Sequence, residues 1–127
     1  ITLTGVCRFK IEEELPFQES YRRVRPNWTS YKDDLIAEAC VNIDRLRLKS
    51  LLQGYFTMQE MSCDWDIIDG ADDEKLITCL SMICPFNPGE KQALLEARCC
   101  SSRAQIFMTM LEMAGHEKED RHQSGFH

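Results

Sequence analysis

The chain lacks the glycine spacing on which phosphate-binding loops depend. Its 127 residues include six glycines, and no two of them are closer than ten residues. The loops G-x-G-x-x-G and G-x-x-x-x-G-K-[ST] both require closer pairs. The sequence therefore excludes both of these nucleotide-binding loops.

Histidine is scarce and confined to one end of the chain. The three histidines are His116, His122 and His127. Because the rest of the chain has none, a Ser-His-Asp or Cys-His arrangement would lack its general base. Zinc hydrolysis through histidine ligands is excluded for the same reason. A hydrolase that uses Cys99 or Cys100 is the remaining catalytic alternative, and it also lacks a base.

Long hydrophobic runs and C-x-x-C motifs are also missing. The longest uncharged run covers residues 76–89, 14 residues, whereas a membrane-spanning helix needs about 20. Charged residues interrupt the first segment, so no signal peptide is predicted there. The seven cysteines are an odd number, which is not typical of a secreted disulfide scaffold. We therefore expect reduced thiols, a cytoplasmic location and no membrane partner. Because the chain begins with Ile1, we also expect a fragment or a processed product.

The charge balance is acidic, with one basic stretch. The chain has 15 basic and 21 acidic residues, a net charge of −6, which argues against unaided binding to nucleic acid or anionic membranes. The exception is the segment 21–32, where cations alternate with Tyr21, Trp28 and Tyr31. Its basic residues are Arg22, Arg23, Arg25 and Lys32. Basic and aromatic side chains together can bind RNA, so RNA binding is the alternative function; a solvated strand face is the other interpretation.

Hydrophobic periodicity places strands first and helices second. Alternating residues predict strands within 1–31, and a period of 3.6 predicts helices from about Asp33. Asn87 with Glu90, and Ser102 with Gln105, are predicted capping boxes. Gly115 is a predicted helix stop, followed by a frayed polar tail. The sequence therefore predicts an α+β fold, with a partial β pseudo-barrel over 1–31, a helical bundle over 32–115 and a tail over 116–127.

Two further clusters have both a structural and a functional interpretation. The group Cys79, Cys84, Cys99 and Cys100 suggests zinc, but its spacing is poor for tetrahedral ligation and buried cysteine commonly packs as a small hydrophobe. We therefore predict neither a metal nor a cofactor. Methionines mostly follow the helical stripes as core residues, although Met58 and Met61 are candidates for an adaptable groove.

Three segments together resemble the LON substrate-binding domain, found at the N-terminus of ATP-dependent Lon proteases and in stand-alone bacterial proteins. They are ITLTGVCRF at residues 1–9, YRRVRPNW at 21–28 and CPFNPGEKQALLEA at 84–97. The match covers roughly residues 1–114 and corresponds to the second half of that domain. The family fold is a PUA-like pseudo-barrel followed by a helical bundle. The early barrel strands have no counterpart here, so open strand edges and self-association through them are expected.

The resemblance implies recognition of protein substrates without catalysis. The expected partners are unfolded or client proteins and an ATP-dependent protease. The family supplies no catalytic set, so the candidate protein-binding residues rest on an aromatic and methionine cluster beside the strand-to-helix joint. These residues are Trp28, Tyr31, Leu52, Tyr55, Phe56 and Met58.

Overall fold

A computed structural model of the chain describes residues 1–36 and 43–124. Its contacts group into two units, Ile1–Glu38 and Ala39–His127. The sequence predicts the boundary between residues 31 and 32, whereas the contacts place it after Glu38. Tyr31 belongs to the first unit because its ring packs under Arg8, 4.4 Å from the guanidinium carbon to the ring centroid.

The first unit contains an antiparallel pair of strands, β1 (Lys10–Glu14) and β2 (Val24–Asn27). Lys10 lies opposite Asn27, and the register shifts between Ile11 and Glu13, which marks a β-bulge. The strand predicted from Ile1 begins only at Lys10, because within residues 1–36 and 43–124 nothing pairs with the segment before it. The sequence also predicts that Glu12, Glu13 and Glu14 end this strand, and that prediction is wrong because they form most of β1.

A 3₁₀ helix (Thr29–Leu35) follows β2. The sequence predicts an α-helix from Asp33, with Leu35, Ile36, Ala39 and Cys40 on one face. Ile36 is already extended at the end of the 3₁₀ helix. Ala39 and Cys40 lie outside the described residues.

The second unit begins with three helices whose starts are capped by aspartate. They are α1 (Arg45–Met58), α2 (Trp65–Gly70) and α3 (Asp73–Ile83). Asp44, Asp64 and Asp72 each accept a hydrogen bond from a backbone N–H of the first turn. An N-cap carboxylate satisfies a free donor and favours the positive end of the helix dipole. The sequence predicts that the carboxylate pairs Asp33-Asp34, Asp64 with Asp66, and Asp72-Asp73 lie at helix starts. This is confirmed for Asp64 and Asp72, whereas Asp33 and Asp34 lie late in the 3₁₀ helix.

The last two helices are α4 (Pro88–Glu96) and α5 (Cys100–Ser124). The predicted capping box is confirmed, with Asn87 accepting from the Glu90 N–H and Glu90 accepting from the Asn87 N–H. The second predicted box is wrong, because α5 already begins at Cys100 and encloses Ser102. The predicted stop at Gly115 is wrong, and so is the frayed tail over residues 116–124, since α5 continues to Ser124. The last three residues of the predicted tail lie outside the described residues. Residues 117–123 include no proline and are mostly good helix formers, which outweighs one glycine.

The core of the second unit is formed by α1, α3, α4 and α5, with the first three all in contact with α5. Phe107 of α5 is fully buried, and its ring meets that of Phe86 edge to face, with 5.6 Å between centroids. The Phe86 ring in turn lies 5.7 Å from that of Tyr55. Two strands and a helical bundle confirm the predicted α+β class.

The cysteines have different environments. Cys84 is buried in the core, and Cys79 is exposed. Cys100 is disulfide-bonded, so the expectation that every thiol is reduced is wrong at this position. Cys99 is exposed as well, so the four cysteines that the sequence grouped as a possible zinc site have different environments.

Candidate functional site

Most of the candidate binding residues on α1 lie inside the bundle. Leu52, Tyr55 and Phe56 are buried core residues, and Met58 is half-buried against them. The Phe56 ring packs 6.1 Å from that of Trp65, centroid to centroid. A partner could not reach these side chains without opening the bundle, so we assign them to the core rather than to a binding surface.

Tyr31 also has a structural position, in the first unit. It is the one buried residue among residues 1–36. Arg8 covers its ring and holds Asp34 through both Nε and Nη2, at 2.9 and 2.6 Å. The Cys7 thiol donates to the Tyr31 carbonyl at 3.3 Å. The hydrogen bond to Asp34 raises the pKa of Arg8 above its usual range, and this ion pair fastens the segment before β1 to the 3₁₀ helix.

Trp28 is the candidate that the structure leaves accessible. It follows β2 directly, and its carbonyl accepts from the Tyr31 N–H at 2.9 Å. On its other side, the Asn27 side-chain oxygen accepts from the Thr29 N–H at 2.9 Å. Its backbone is therefore held on both sides while the residue remains 52% exposed. A fixed backbone with an exposed indole suits a binding anchor, because little conformational freedom is lost on binding.

Trp28 belongs to an apolar face of the hairpin. Ile11 lies opposite Pro26 in the register. Phe9 lies just before β1 and Trp28 just after β2, each two residues from this pair, and we infer their shared face by carrying the alternation past the strand ends. Phe9 is 48% and Ile11 63% exposed. We call Phe9, Ile11, Pro26 and Trp28 the hairpin face. The alternation was visible in the sequence, but which residues pair across the hairpin was not.

The opposite face of the hairpin is polar and internally paired. Asn27 donates to Glu12 at 2.6 Å, and Arg25 forms an ion pair with Glu13 at 2.8 Å. The bulge places both glutamates opposite one stretch of β2. One side of the hairpin is therefore lined by charges, whereas the other is apolar at Ile11 and Pro26 and carries the Arg22–Glu14 ion pair at the far end of the strands.

The basic stretch that suggested RNA binding is partly neutralised. Arg22 donates to both carboxylate oxygens of Glu14, at 2.6 and 3.0 Å. This hydrogen-bonded pair lowers the pKa of Glu14 and raises the pKa of Arg22. Arg25 is paired with Glu13, whereas Arg23 and Lys32 are exposed. Two of the four candidate cations therefore already have carboxylate partners.

A small pocket in the second unit lies between α1 and α2. It is lined by Arg45, Leu48, Lys49, Ile68 and Asp69 and has a volume of about 100 Å³. Small-molecule sites usually occupy roughly 300–1,000 Å³. Lys49 lies 2.5 Å from Asp69, and Arg45 lies 2.8 Å from Asp73. The charged groups here pair with each other and connect α1 to α2 and α3.

Metal ligands do not converge in the part of the chain that the structure describes: no three His, Cys, Asp or Glu side chains come together there. Within the same residues, no helix combines the length and the apolar character needed to cross a membrane.

Of the six protein-binding candidates from the sequence, Trp28 is the exposed one, and it lies on the hairpin face beside Phe9 and Ile11, which sequence reasoning did not single out. Comparison of the chain with models of known protein families, with curated proteins and with solved structures finds no match in any of the three.

Proposed function

We propose that this chain is a non-catalytic module that recognises exposed apolar segments of client proteins, and that the hairpin face is the contact surface. The observation that carries the proposal is the exposure of Phe9, Ile11 and Trp28 on one side of the hairpin. From these exposed fractions, and areas of roughly 150–250 Å² for large side chains, the three together expose roughly 300 Å². The largest apolar patch on a typical monomer covers roughly 300–600 Å² and is often functional.

The sequence resemblance supports the same proposal. Two of the three segments that resemble the LON substrate-binding domain, residues 1–9 and 21–28, contain Phe9 and Trp28 of the hairpin face. In that interpretation the module acts beside an ATP-dependent protease in the cytoplasm and presents clients to it. The disulfide at Cys100 argues against the cytoplasmic location in this interpretation, because disulfides are rare in the cytoplasm.

Capture of an unfolded protein tests the proposal. The probe is reduced, carboxymethylated α-lactalbumin, and its binding to the full chain is measured by fluorescence anisotropy at low and high salt. Trp28→Ala and Ile11→Ala should each weaken binding roughly tenfold, which corresponds to losing about 1.4 kcal/mol at a contact. Both variants should keep the stability of the parent chain, since these side chains are exposed.

Ile67→Ala is the matched control. Ile67 is 69% exposed, close to the 63% of Ile11, but it lies on α2 in the second unit. Its replacement should leave capture unchanged. Equal losses from Ile11→Ala and Ile67→Ala would show nonspecific adsorption and refute the hairpin face as the site.

Salt dependence separates protein capture from RNA binding. Apolar contacts should change little with salt, whereas binding to single-stranded RNA loses affinity with a log–log slope of about −0.7 per phosphate contact. Failure to bind the unfolded protein, together with steeply salt-dependent RNA binding that Arg23→Ala and Lys32→Ala weaken, would favour the alternative.

A further inference from the structure

The first unit has almost no core of its own. Within residues 1–36 the one buried residue is Tyr31. Units of fewer than about 40 residues usually need a disulfide, a metal or an oligomer to stay folded. The cysteine of this unit, Cys7, is free, and no cluster of metal ligands occurs among its described residues. Of these three means of stabilisation, an oligomer is the one that remains for the first unit.

The first unit also exposes enough apolar surface to form an interface. Ten of its large apolar residues are at least 48% exposed: Ile1, Leu3, Val6, Phe9, Ile11, Phe17, Tyr21, Trp28, Leu35 and Ile36. With areas of roughly 150–250 Å² for large side chains, these residues expose roughly 1,000 Å² or more. A stable protein interface buries roughly 800 Å² on each partner. The hairpin face alone falls short of this area, but together with the apolar residues of the adjoining segments it reaches it.

The distribution of charge favours a second copy of the chain as the partner. Residues 1–36 carry six basic and six acidic residues, so the whole net charge of −6 lies in residues 37–127. The carboxylates of Glu13 and Glu14 are already paired with Arg25 and Arg22. Two copies of the first unit therefore meet without net repulsion. Association through residues 37–127 would instead bring like charges together.

The hairpin is suited to association through its face rather than through its strand edges. A β-bulge lies between Ile11 and Glu13 of β1, and β2 contains Pro26. Bulges and prolines both protect strand edges from the addition of another strand. The hairpin face needs no free backbone groups, because its contacts are made by side chains. Its apolar centre at Ile11 and Pro26 is followed by the Arg22–Glu14 ion pair, and typical interfaces have this apolar centre and polar rim.

We propose that the hairpin face packs against the same face of a second copy and forms a two-fold symmetric dimer. The two hairpins then stack as sheets about 10 Å apart, with the same residues on both sides of the interface. A two-stranded hairpin is only marginally stable alone in water, and packing against a second layer supports it. One consequence rests on the proposed function: a client that binds the hairpin face competes with the second copy and dissociates the dimer.

Sedimentation equilibrium of the full chain over a range of concentrations tests the dimer. The expected mass of the dimer is twice the 14.8 kDa of the chain. Ile11→Glu should raise the dissociation constant of the dimer about 100-fold or more, because a two-fold interface contains each change twice and one lost contact accounts for about tenfold. Phe9→Ser should have a similar effect, and because Phe9 lies before β1, this change removes no hydrogen bond between the strands.

Ile67→Glu is the matched control. Ile67 is 69% exposed and lies on α2 in the second unit, so this variant should keep the dissociation constant of the parent chain. A chain that stays monomeric at its highest soluble concentration would overturn the inference. A dimer that Ile11→Glu and Phe9→Ser leave intact, or that Ile67→Glu weakens equally, would also overturn it, because its interface would then lie elsewhere.

Competition with labelled, carboxymethylated α-lactalbumin separates this inference from the proposed function. In sedimentation velocity experiments, the labelled protein should convert the dimer into a complex with one copy of the chain. Client binding by a chain that never dimerises would overturn the inference and leave the proposed function standing. A dimer that binds no client would refute the proposed function and leave the inference standing. A dimer that binds the client without dissociating would refute the hairpin face as the client site.

Discussion

Replacement of Leu52 by alanine should destabilise the bundle severely, although Leu52 was a candidate binding residue in the sequence. Its side chain is 0% exposed and lies in the core cluster. The change removes three carbon atoms, worth about 2.5 kcal/mol in transfer free energy at about 0.8 kcal/mol each. The cavity left behind adds to this, and buried Leu→Ala changes cost about 2–5 kcal/mol. We expect a loss of about 3–4 kcal/mol.

Leu46→Ala provides the matched control for this prediction. Leu46 lies on the same helix, α1, but is 84% exposed. The difference in helix propensity between leucine and alanine is therefore nearly the same in both variants. Leu46→Ala should change the free energy of unfolding by less than about 0.5 kcal/mol. Urea denaturation followed by circular dichroism at 222 nm measures both, because the helices dominate that signal.

The same two variants also decide the role of α1. Under conditions where Leu52→Ala is still folded, its capture of unfolded protein should equal that of the parent chain. A loss of capture with less than about 1 kcal/mol of destabilisation would refute the assignment of Leu52 to the core and restore α1 as a binding surface. Equal destabilisation by Leu46→Ala and Leu52→Ala would refute the buried position itself.

Three further predictions concern local features of the second unit. Glu60, just after α1, has a φ of 54°, a left-handed conformation that favours glycine. Glu60→Gly should therefore raise the free energy of unfolding by about 1 kcal/mol, measured by urea titration. A decrease would contradict this prediction. Asn87→Ala removes the capping box of α4 and should cost about 1 kcal/mol, whereas Asn87→Ser should cost much less, as thermal melts would show. Burial raises the pKa of Cys84 to about 11 and the pKa of Tyr55 to about 12. These raised pKa values favour the protonated forms in the folded state. The free energy of unfolding should therefore fall between pH 9 and 11 through titration of Cys84, and between pH 10 and 12 through titration of Tyr55. The Cys84 contribution is about 3 kcal/mol. A free energy of unfolding that stays flat to pH 11, or one that falls equally in Cys84→Ala over pH 9–11, would contradict this.

Local sequence signals predicted several boundaries correctly. The Asn87-Pro88-Gly89-Glu90 segment contains its own N-cap, first-turn proline and reciprocal glutamate, so the start of α4 depends only on residues within one turn. Asp64 and Asp72 act in the same way for α2 and α3. Local signals failed where they competed, as at Gly115, where the helix formers that follow outweigh the glycine. The order of strands before helices, and hence the α+β class, also followed from periodicity alone.

Accessibility was decided by the tertiary structure. Tyr55, Phe56 and Trp28 are all aromatic residues near segment boundaries, and nothing in their local sequence distinguishes a core ring from a binding anchor. Tyr55 and Phe56 are buried because Phe86, which follows α3, and Trp65, on α2, pack against them. In the part of the chain that the structure describes, no aromatic ring packs against Trp28, and it stays 52% exposed. Local order depends on residues within one turn or strand, whereas burial depends on which distant elements meet, and only the folded chain brings those elements together.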